Sequence, residues 1–81
     1  MKLDALKAGL AFGIIWSASM VLIAIMVGVF NWGNKLLEVI ASVYLGYGPS
    51  LLGGLIGIIW GFADGFIFGF LIVWLYNLLA K

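Results

Sequence analysis

Two long apolar runs, joined by one short polar connection, decide what this chain can fold into. The first run covers about residues 8–30 and the second about residues 50–79. A helix needs roughly 20 apolar residues to cross about 30 Å of hydrocarbon, so a chain of 81 residues accommodates two crossings and not three. We therefore predict an all-α membrane protein, with residues 1–81 forming one membrane domain built on a two-helix transmembrane hairpin.

Composition supports this class and excludes several others. The chain is 67% hydrophobic and 9% charged, whereas soluble domains are about 45–50% apolar and about 25% charged. It has no cysteine and no histidine, which excludes disulfides, the usual zinc sites and histidine-ligated haem. A catalytic triad would lack its base. We expect no enzyme activity, no catalytic residue, no metal and no cofactor. The net charge of +1 gives no reason to expect a nucleic-acid partner.

The N-terminal run resembles a signal peptide at first sight. Small residues at Ser17, Ala18 and Ser19 imitate a cleavage site. The apolar character then continues through Met20–Phe30, where a cleaved secretory protein usually becomes polar. This continuation predicts an uncleaved transmembrane helix, with the lipid bilayer as its partner.

The connection carries its own helical pattern. Asn31 and Asn34 interrupt the apolar run, and then apolar residues recur at helical spacing. These apolar positions are Leu36, Leu37, Ile40, Val43, Tyr44 and Tyr47, and the opposite side carries Lys35, Glu38 and Ser42. The pattern predicts an interfacial helix over about residues 34–47 that lies along the membrane surface. The alternative is an irregular loop packed on the helix ends.

Lysine placement and aromatic residues predict how the chain sits in the bilayer. Lys2 and Lys7 precede the first run and Lys81 follows the second, whereas only Lys35 lies in the connection. The positive-inside rule then places both termini in the cytoplasm. Tryptophan and tyrosine prefer the membrane interface, and the predicted interface anchors are Trp32, Trp74 and Tyr76.

Glycine recurs at every fourth position of the second run. The stripe consists of Gly53, Gly57, Gly61, Gly65 and Gly69, and the first run carries Gly9 and Gly13 at the same spacing. Small residues at this spacing allow the backbones of helices to approach closely in lipid. We predict that these glycines are helix-packing positions. Because the stripe is long, we also expect neighbouring subunits, most simply a homo-oligomer.

One acidic residue, Asp64, falls near the middle of the second run. Inserting an aspartate there costs about 2.5–3.5 kcal/mol on translocon scales, so it is not expected to face lipid. In an antiparallel hairpin, Ser17 and Ser19 of the first run reach the same depth in the membrane as Asp64. Their hydroxyls are candidate donors to the carboxylate. Two hypotheses remain open: a protonated or hydrogen-bonded aspartate that holds helices together, and a proton or cation site. The indole N–H groups of Trp16 and Trp60 also need acceptors.

The stretch "YLGYGPSLLGGLIGIIWGFADGFIFGFLIVWLYN", residues 44–77, resembles small prokaryotic two-helix membrane proteins labelled bacteriophage-holin-like. The features that carry the resemblance are Gly46-Tyr47, Pro49, Trp60-Gly61-Phe62, Asp64-Gly65 and Trp74-Leu75-Tyr76-Asn77. The layout, with a carboxylate midway along the second helix, is also similar to the rotor-ring subunit of ATP synthase. That family's alternating-glycine first helix and Arg-Gln-Pro loop are missing here.

The holin-like resemblance implies assembly in a prokaryotic cytoplasmic membrane. We therefore expect a holin-like or channel-like homo-oligomer in which Asp64 is the candidate proton or cation site. The alternative is a structural accessory subunit that docks on a larger membrane complex through its GxxxG faces.

Overall fold

The computed structural model describes residues 3–80 and places three helices in them. Helix α1 spans Ala5–Phe30, α2 spans Asn34–Val43 and α3 spans Leu51–Leu79. The predicted all-α class is confirmed, and both long helices lie within three residues of the predicted runs. The Lys2 and Lys81 charges used to predict orientation lie outside the described residues.

Each long helix begins and ends at residues suited to that position. Asp4 caps α1 by accepting a hydrogen bond from the backbone N–H of Lys7 at 3.2 Å, and Ser50 caps α3 by accepting one from Gly53 at 3.0 Å. Helix α1 ends where Asn31 adopts a left-handed conformation with φ of 53°. Asparagine tolerates this conformation better than most residues. The helix boundaries therefore follow from local side-chain chemistry.

Helices α1 and α3 pack side by side and run in opposite directions. Near the chain ends, the Asn77 side chain bonds both backbone polar groups of Leu3, at 2.9 and 2.7 Å. At the other end Gly28 lies against the carbonyl of Pro49. The result is a rod 48 Å long and about as wide as it is thick, 19 by 18 Å.

The glycine stripe lies between these two helices. All five of its residues, from Gly53 to Gly69, are buried. A Cβ atom added at Gly65 would lie 2.6 Å from the Phe12 carbonyl oxygen, and one at Gly69 would lie 2.7 Å from the Ala8 carbonyl oxygen. Helix α1 and the connection therefore cover the stripe within one chain. The inference from a long stripe to neighbouring subunits loses its basis, because no part of the stripe is left uncovered.

Helix α2 folds back along α1. It begins beside the end of α1, where Asn34 donates to the Asn31 side chain at 2.9 Å. One residue beyond its end, the Tyr44 hydroxyl lies 3.0 Å from the indole nitrogen of Trp16. Trp16 precedes the end of α1 by 14 residues, which is about 21 Å along the axis. The connection therefore reaches the middle of the rod.

The prediction for this connection was correct in part. A helix is present, but it ends at Val43, and it lies against α1 and not across the helix ends. The apolar face divides accordingly: Leu37 is buried with Met20 and Ala24 of α1, whereas Leu36 is half exposed. The physical reason is that the α1 surface offers the same apolar contact as a membrane surface, and that the long helices supply acceptors for both tyrosine hydroxyls, the Met20 carbonyl of α1 and Asp64 of α3.

Both long helices are long and apolar enough to cross a membrane. Only 17% of the most apolar stretch of α1 and 28% of that of α3 are buried in the chain. The core helix of a soluble protein would be mostly buried. Large apolar side chains such as Ile15, Ile59 and Phe68 are instead more than half exposed along the length of the rod.

Candidate functional site

Asp64 belongs to a chain of hydrogen bonds that joins all parts of the fold. The Trp16 indole N–H of α1 donates to the Tyr44 hydroxyl at 3.0 Å, and that hydroxyl donates to Asp64 Oδ2 of α3 at 2.6 Å. The second distance is typical of a hydroxyl that donates to a carboxylate. We call these three residues the Trp16–Tyr44–Asp64 triad. It lies near the midpoint of α3.

The aromatic surroundings hold Tyr44 in place. Its ring stacks on that of Trp60, with centroids 5.6 Å apart and planes 7° from parallel. Tyr44 is buried, and burial raises the pKa of its hydroxyl above the ordinary value. The hydrogen bond to Asp64 raises this pKa further, and the bond from Trp16 partly opposes the rise. Tyr44 therefore remains a neutral donor to the carboxylate.

Two more hydrogen bonds fix the connection against the long helices. The Tyr47 hydroxyl donates to the backbone carbonyl of Met20 in α1 at 2.5 Å. The Trp60 indole N–H of α3 donates to the backbone carbonyl of Leu45 at 3.1 Å. The indole groups of both central tryptophans thus have the acceptors that they were expected to need.

The carboxylate of Asp64 is only half satisfied within the chain. Residue Asp64 is partly buried, and Oδ2 is the oxygen that Tyr44 bonds. Among residues 3–80, no buried side-chain nitrogen or oxygen atom lacks a hydrogen bond. Oδ1, which has no such bond, is therefore not fully buried. Tyr44 satisfies one carboxyl oxygen, and the other has no hydrogen bond within the chain.

Ser17 and Ser19 do not reach the carboxylate, contrary to expectation. The Ser17 hydroxyl donates to the carbonyl of Ile14 at 3.0 Å, and that of Ser19 donates to the carbonyl of Ile15 at 2.9 Å. Serine in a helix commonly bonds the preceding turn in this way. The tyrosine hydroxyl from the connection takes the place that we expected a serine to fill.

The three predicted interface anchors lie toward the ends of the rod. Trp32 occupies the turn between α1 and α2, and Trp74 and Tyr76 lie in the last two turns of α3. All three are more than half exposed. The geometry places them apart from the triad, so they take no part in the candidate site.

The chemistry of the site is that of a carboxylate supported by neutral donors. Within residues 3–80 no three acidic, histidine or cysteine side chains converge on a point that would hold a metal ion. The triad offers one carboxyl group, one hydroxyl and an indole N–H. Such a set can hold a proton or pair with a single positive charge.

Tyr44 is the site residue that the sequence analysis missed. Its spacing placed it on the apolar side of the connecting helix, together with Leu37 and Ile40. The sequence did contain a signal for such a residue. Three residues with polar groups lie in the apolar runs and need hydrogen-bond partners: Trp16, Trp60 and Asp64. Tyrosines of the connection are the bulky residues there that can supply a hydroxyl.

Comparison of the chain with protein-family models, with curated proteins and with solved structures gives no match.

Proposed function

We propose that this chain is a small integral membrane protein that associates with copies of itself through the face that carries Asp64. In the assembly, Asp64 lies at a contact between subunits and takes up or passes a proton or a cation. The holin-like resemblance of residues 44–77 agrees with an assembly of this kind in a prokaryotic cytoplasmic membrane.

Membrane insertion is supported by where the apolar residues lie. The long helices expose most of their apolar side chains over the whole rod, and a soluble monomer rarely exposes a continuous apolar surface of this extent. Helix α1 is about 39 Å long and α3 about 44 Å, so each exceeds the hydrocarbon thickness of about 30 Å. Asp64 then lies close to the middle of the bilayer.

Self-association is supported by the open oxygen of Asp64. An aspartate at the bilayer centre costs about 2.5–3.5 kcal/mol on insertion scales. Tyr44 satisfies Oδ2, whereas Oδ1 has no hydrogen bond within the chain and is not fully buried, so it would contact lipid in an isolated chain. A neighbouring subunit on this face would remove that exposure. The open oxygen, and not the glycine stripe, is the observation that carries the proposal.

The experiment has two parts. Native mass spectrometry of protein released from lipid nanodiscs should show an oligomer. Liposomes containing the protein should conduct protons or potassium ions, and Asp64→Asn should reduce this flux about tenfold, the equivalent of ~1.4 kcal/mol. Tyr44→Phe should reduce it less, because the carboxylate remains.

Asp4→Asn is the matched control, because Asp4 is an aspartate that caps the N-terminal end of α1, away from the triad. It should leave the flux unchanged. A monomeric protein, or a flux that Asp64→Asn leaves at the wild-type level, would show the proposal to be wrong.

The second candidate function is a structural subunit of a larger membrane complex. The buried glycine stripe does not favour it, but an apolar groove of about 360 Å³ between the second half of α1 and the first turns of α3 does. Gly54 lines this groove and has nothing within 4 Å of the place where a Cβ would be. A helix from an unlike chain would find small residues there. Copurification of an unlike chain that Gly54→Leu abolishes would favour this function.

A further inference from the structure

The connection contains backbone polar groups that neither helices nor side chains satisfy. Residues 44–50, between α2 and α3, are not helical. In this stretch the Tyr47 N–H donates to the Tyr44 carbonyl at 3.0 Å, and the Leu45 carbonyl accepts from the Trp60 indole at 3.1 Å. Other backbone groups of residues 45–48 have no hydrogen-bond partner within residues 3–80. These are the N–H groups of Leu45, Gly46 and Gly48 and the carbonyl groups of Gly46, Tyr47 and Gly48.

The same stretch lies at the surface of the chain. Leu45 is 72% exposed, and Gly46 is exposed as well. Gly48 is half-buried, but a Cβ atom added to it would meet nothing within 4 Å. The surroundings of the chain must therefore supply the hydrogen bonds that these peptide groups lack.

Contacts with the long helices give the depth of this stretch in the membrane. The Leu45 carbonyl lies at the indole of Trp60, which is about 14 Å along the axis from the start of α3. Lys7 directly precedes Ala8, whose carbonyl lies against Gly69, about 27 Å from the same start. A lysine keeps its charge at the membrane surface, and the hydrocarbon is about 30 Å thick. The opposite surface then falls near the start of α3, and the Leu45 carbonyl lies on the order of 10 Å inside it.

A polar face of α2 leads down to this stretch. Lys35, Glu38 and Ser42 recur at helical spacing, and all three are exposed. Leu37, on the other side of α2, is buried against α1. Because α2 runs from the end of the rod towards its middle, the polar face extends from the membrane surface towards Leu45. Charged side chains are costly in lipid, so this face does not suit an acyl-chain environment.

We propose that the outer side of the connection lines a water-filled funnel, which opens at the end of the rod where α2 begins and reaches inward to Leu45. Non-helical backbone occurs at membrane depth only where protein buries it or where it lines a water-filled cavity. Leu45 adjoins Tyr44, whose hydroxyl donates to Asp64. The funnel therefore brings water from one face of the membrane to the neighbourhood of the candidate site. This inference rests on the proposed function in taking the chain to span the membrane, but it requires neither self-association nor ion flux.

Water suits this surface better than a second copy of the chain does. The hydroxyls of Ser17 and Ser19 and the indoles of Trp16 and Trp60 already have partners in their own chain. Large apolar side chains make up most of the remaining exposed surface along the middle of α1 and α3. Asp64 Oδ1 is one further acceptor, too little for three N–H groups and three carbonyl groups. A neighbouring copy would therefore leave most of these groups unpaired, at a cost in free energy.

Single-cysteine variants test the proposal one position at a time, because the chain contains no cysteine. Thiols react as thiolates, which form in water and not in lipid. Leu45→Cys and Ser42→Cys, each in the full-length protein in phosphatidylcholine nanodiscs, are treated with membrane-impermeant 2-(trimethylammonium)ethyl methanethiosulfonate, and mass spectrometry follows the labelling with time. Both should react within about tenfold of the rate of Lys35→Cys, which lies at the end of the rod and reports the rate in water.

Ile59→Cys is the matched control for exposure and depth. Ile59 is 70% exposed and directly precedes Trp60, so it resembles Leu45 in both respects. It lies about 200° around α3 from Gly57 and from Gly61, on the side away from α1. Its thiol should therefore face lipid and react at least about tenfold more slowly than that of Leu45→Cys. Labelling in sodium dodecyl sulfate gives the total thiol of each variant, and circular dichroism verifies that it remains helical in nanodiscs.

Each outcome decides something specific. Equally slow reaction of Leu45→Cys and Ile59→Cys would overturn the inference, because the connection would then face lipid or another subunit. Reaction of both at the rate of Lys35→Cys would also overturn it, because this end of the rod would then lie outside the hydrocarbon. If Leu45→Cys loses helix, Ser42→Cys decides by the same comparison, since it replaces an exposed hydroxyl with a thiol. Conversely, fast reaction of Leu45→Cys but not of Ile59→Cys, in a monomer without ion flux, would retain the funnel and remove self-association.

Discussion

Replacing Gly65 by alanine tests how closely α1 and α3 approach each other. The added Cβ would lie 2.6 Å from the Phe12 carbonyl oxygen, 2.8 Å from Trp16 Cβ and 2.9 Å from Gly13 Cα. Two of these three atoms belong to the α1 backbone and cannot rotate away. The helices must therefore separate locally to admit the methyl group.

Gly54→Ala is the matched substitution, because it lies in the same helix and its new Cβ meets nothing within 4 Å. Both substitutions gain helix propensity of about 1 kcal/mol, as measured in water. Only the one at Gly65 adds an overpacking cost of about 1–3 kcal/mol. The gain is common to both, so Gly65→Ala should be less stable than Gly54→Ala by ~1–3 kcal/mol.

The free energy of unfolding can be measured in mixed micelles of dodecyl maltoside and sodium dodecyl sulfate. Fluorescence transfer between dyes at the two chain ends would report separation of the long helices, and far-ultraviolet circular dichroism would report the remaining helix. A difference between Gly65→Ala and Gly54→Ala below about 0.5 kcal/mol, the usual size of a surface effect, would refute the close approach.

Two further predictions concern the connection and the chain ends. Burial raises the pKa of the Tyr44 and Tyr47 hydroxyls, so the folded chain keeps protons that the unfolded chain loses above about pH 10. The contribution of these two hydroxyls to the free energy of unfolding should be constant below that pH and fall as pH rises above it, and replacing both tyrosines by phenylalanine should reduce the fall. Asn77→Ala should cost about 0.5–1.5 kcal/mol for each hydrogen bond lost to Leu3. Amide exchange at Leu3 should become faster, whereas Asn34→Ala at the other end of the rod should not change it.

The long helices could be predicted from sequence because their causes are local. The apolar runs give their length, and short polar side chains give their ends. Ser50 caps α3, which begins at Leu51, one residue after the start of the predicted apolar run, and Asn31 ends α1. A propensity for capping or for the left-handed region acts within one helical turn. No tertiary contact is needed to find these boundaries.

The position of α2 could not be predicted, because its apolar pattern has no unique partner. Leu37 and Ile40 would bury equally well among the acyl chains just below the lipid headgroups or against α1. What decides the matter is the pair of tyrosine hydroxyls beyond the helix end, whose acceptors, Asp64 and the Met20 carbonyl, are 20 and 27 residues away in sequence. Periodicity within a window of ten residues contains no information about such contacts.

The glycine stripe illustrates a different limit. Four-residue spacing predicted close backbone approach, but it did not specify whose backbone approaches. Gly57 lies against Tyr47 of the connection, whereas Gly65 lies against Gly13 of α1. A small-residue face specifies the distance between helices and leaves the identity of the partner open.

The close contact of α1 and α3 also explains why a third segment is needed at the carboxylate. With Gly65 against the Phe12 and Gly13 backbone, the gap between the two helices has no room for a carboxylate and an indole. Asp64 and Trp16 are therefore displaced to one open side of the helix pair, where α1 supplies no hydrogen-bond partner for Asp64 and α3 supplies none for Trp16.

The Tyr44 hydroxyl is both acceptor and donor, so it satisfies the two groups at once. Moving the connection away would leave an indole N–H and both carboxylate oxygens unpaired in an apolar environment, which costs far more than leaving one oxygen open. Any functional motion of this protein must therefore keep Tyr44 at Asp64 or bring another polar partner to replace it.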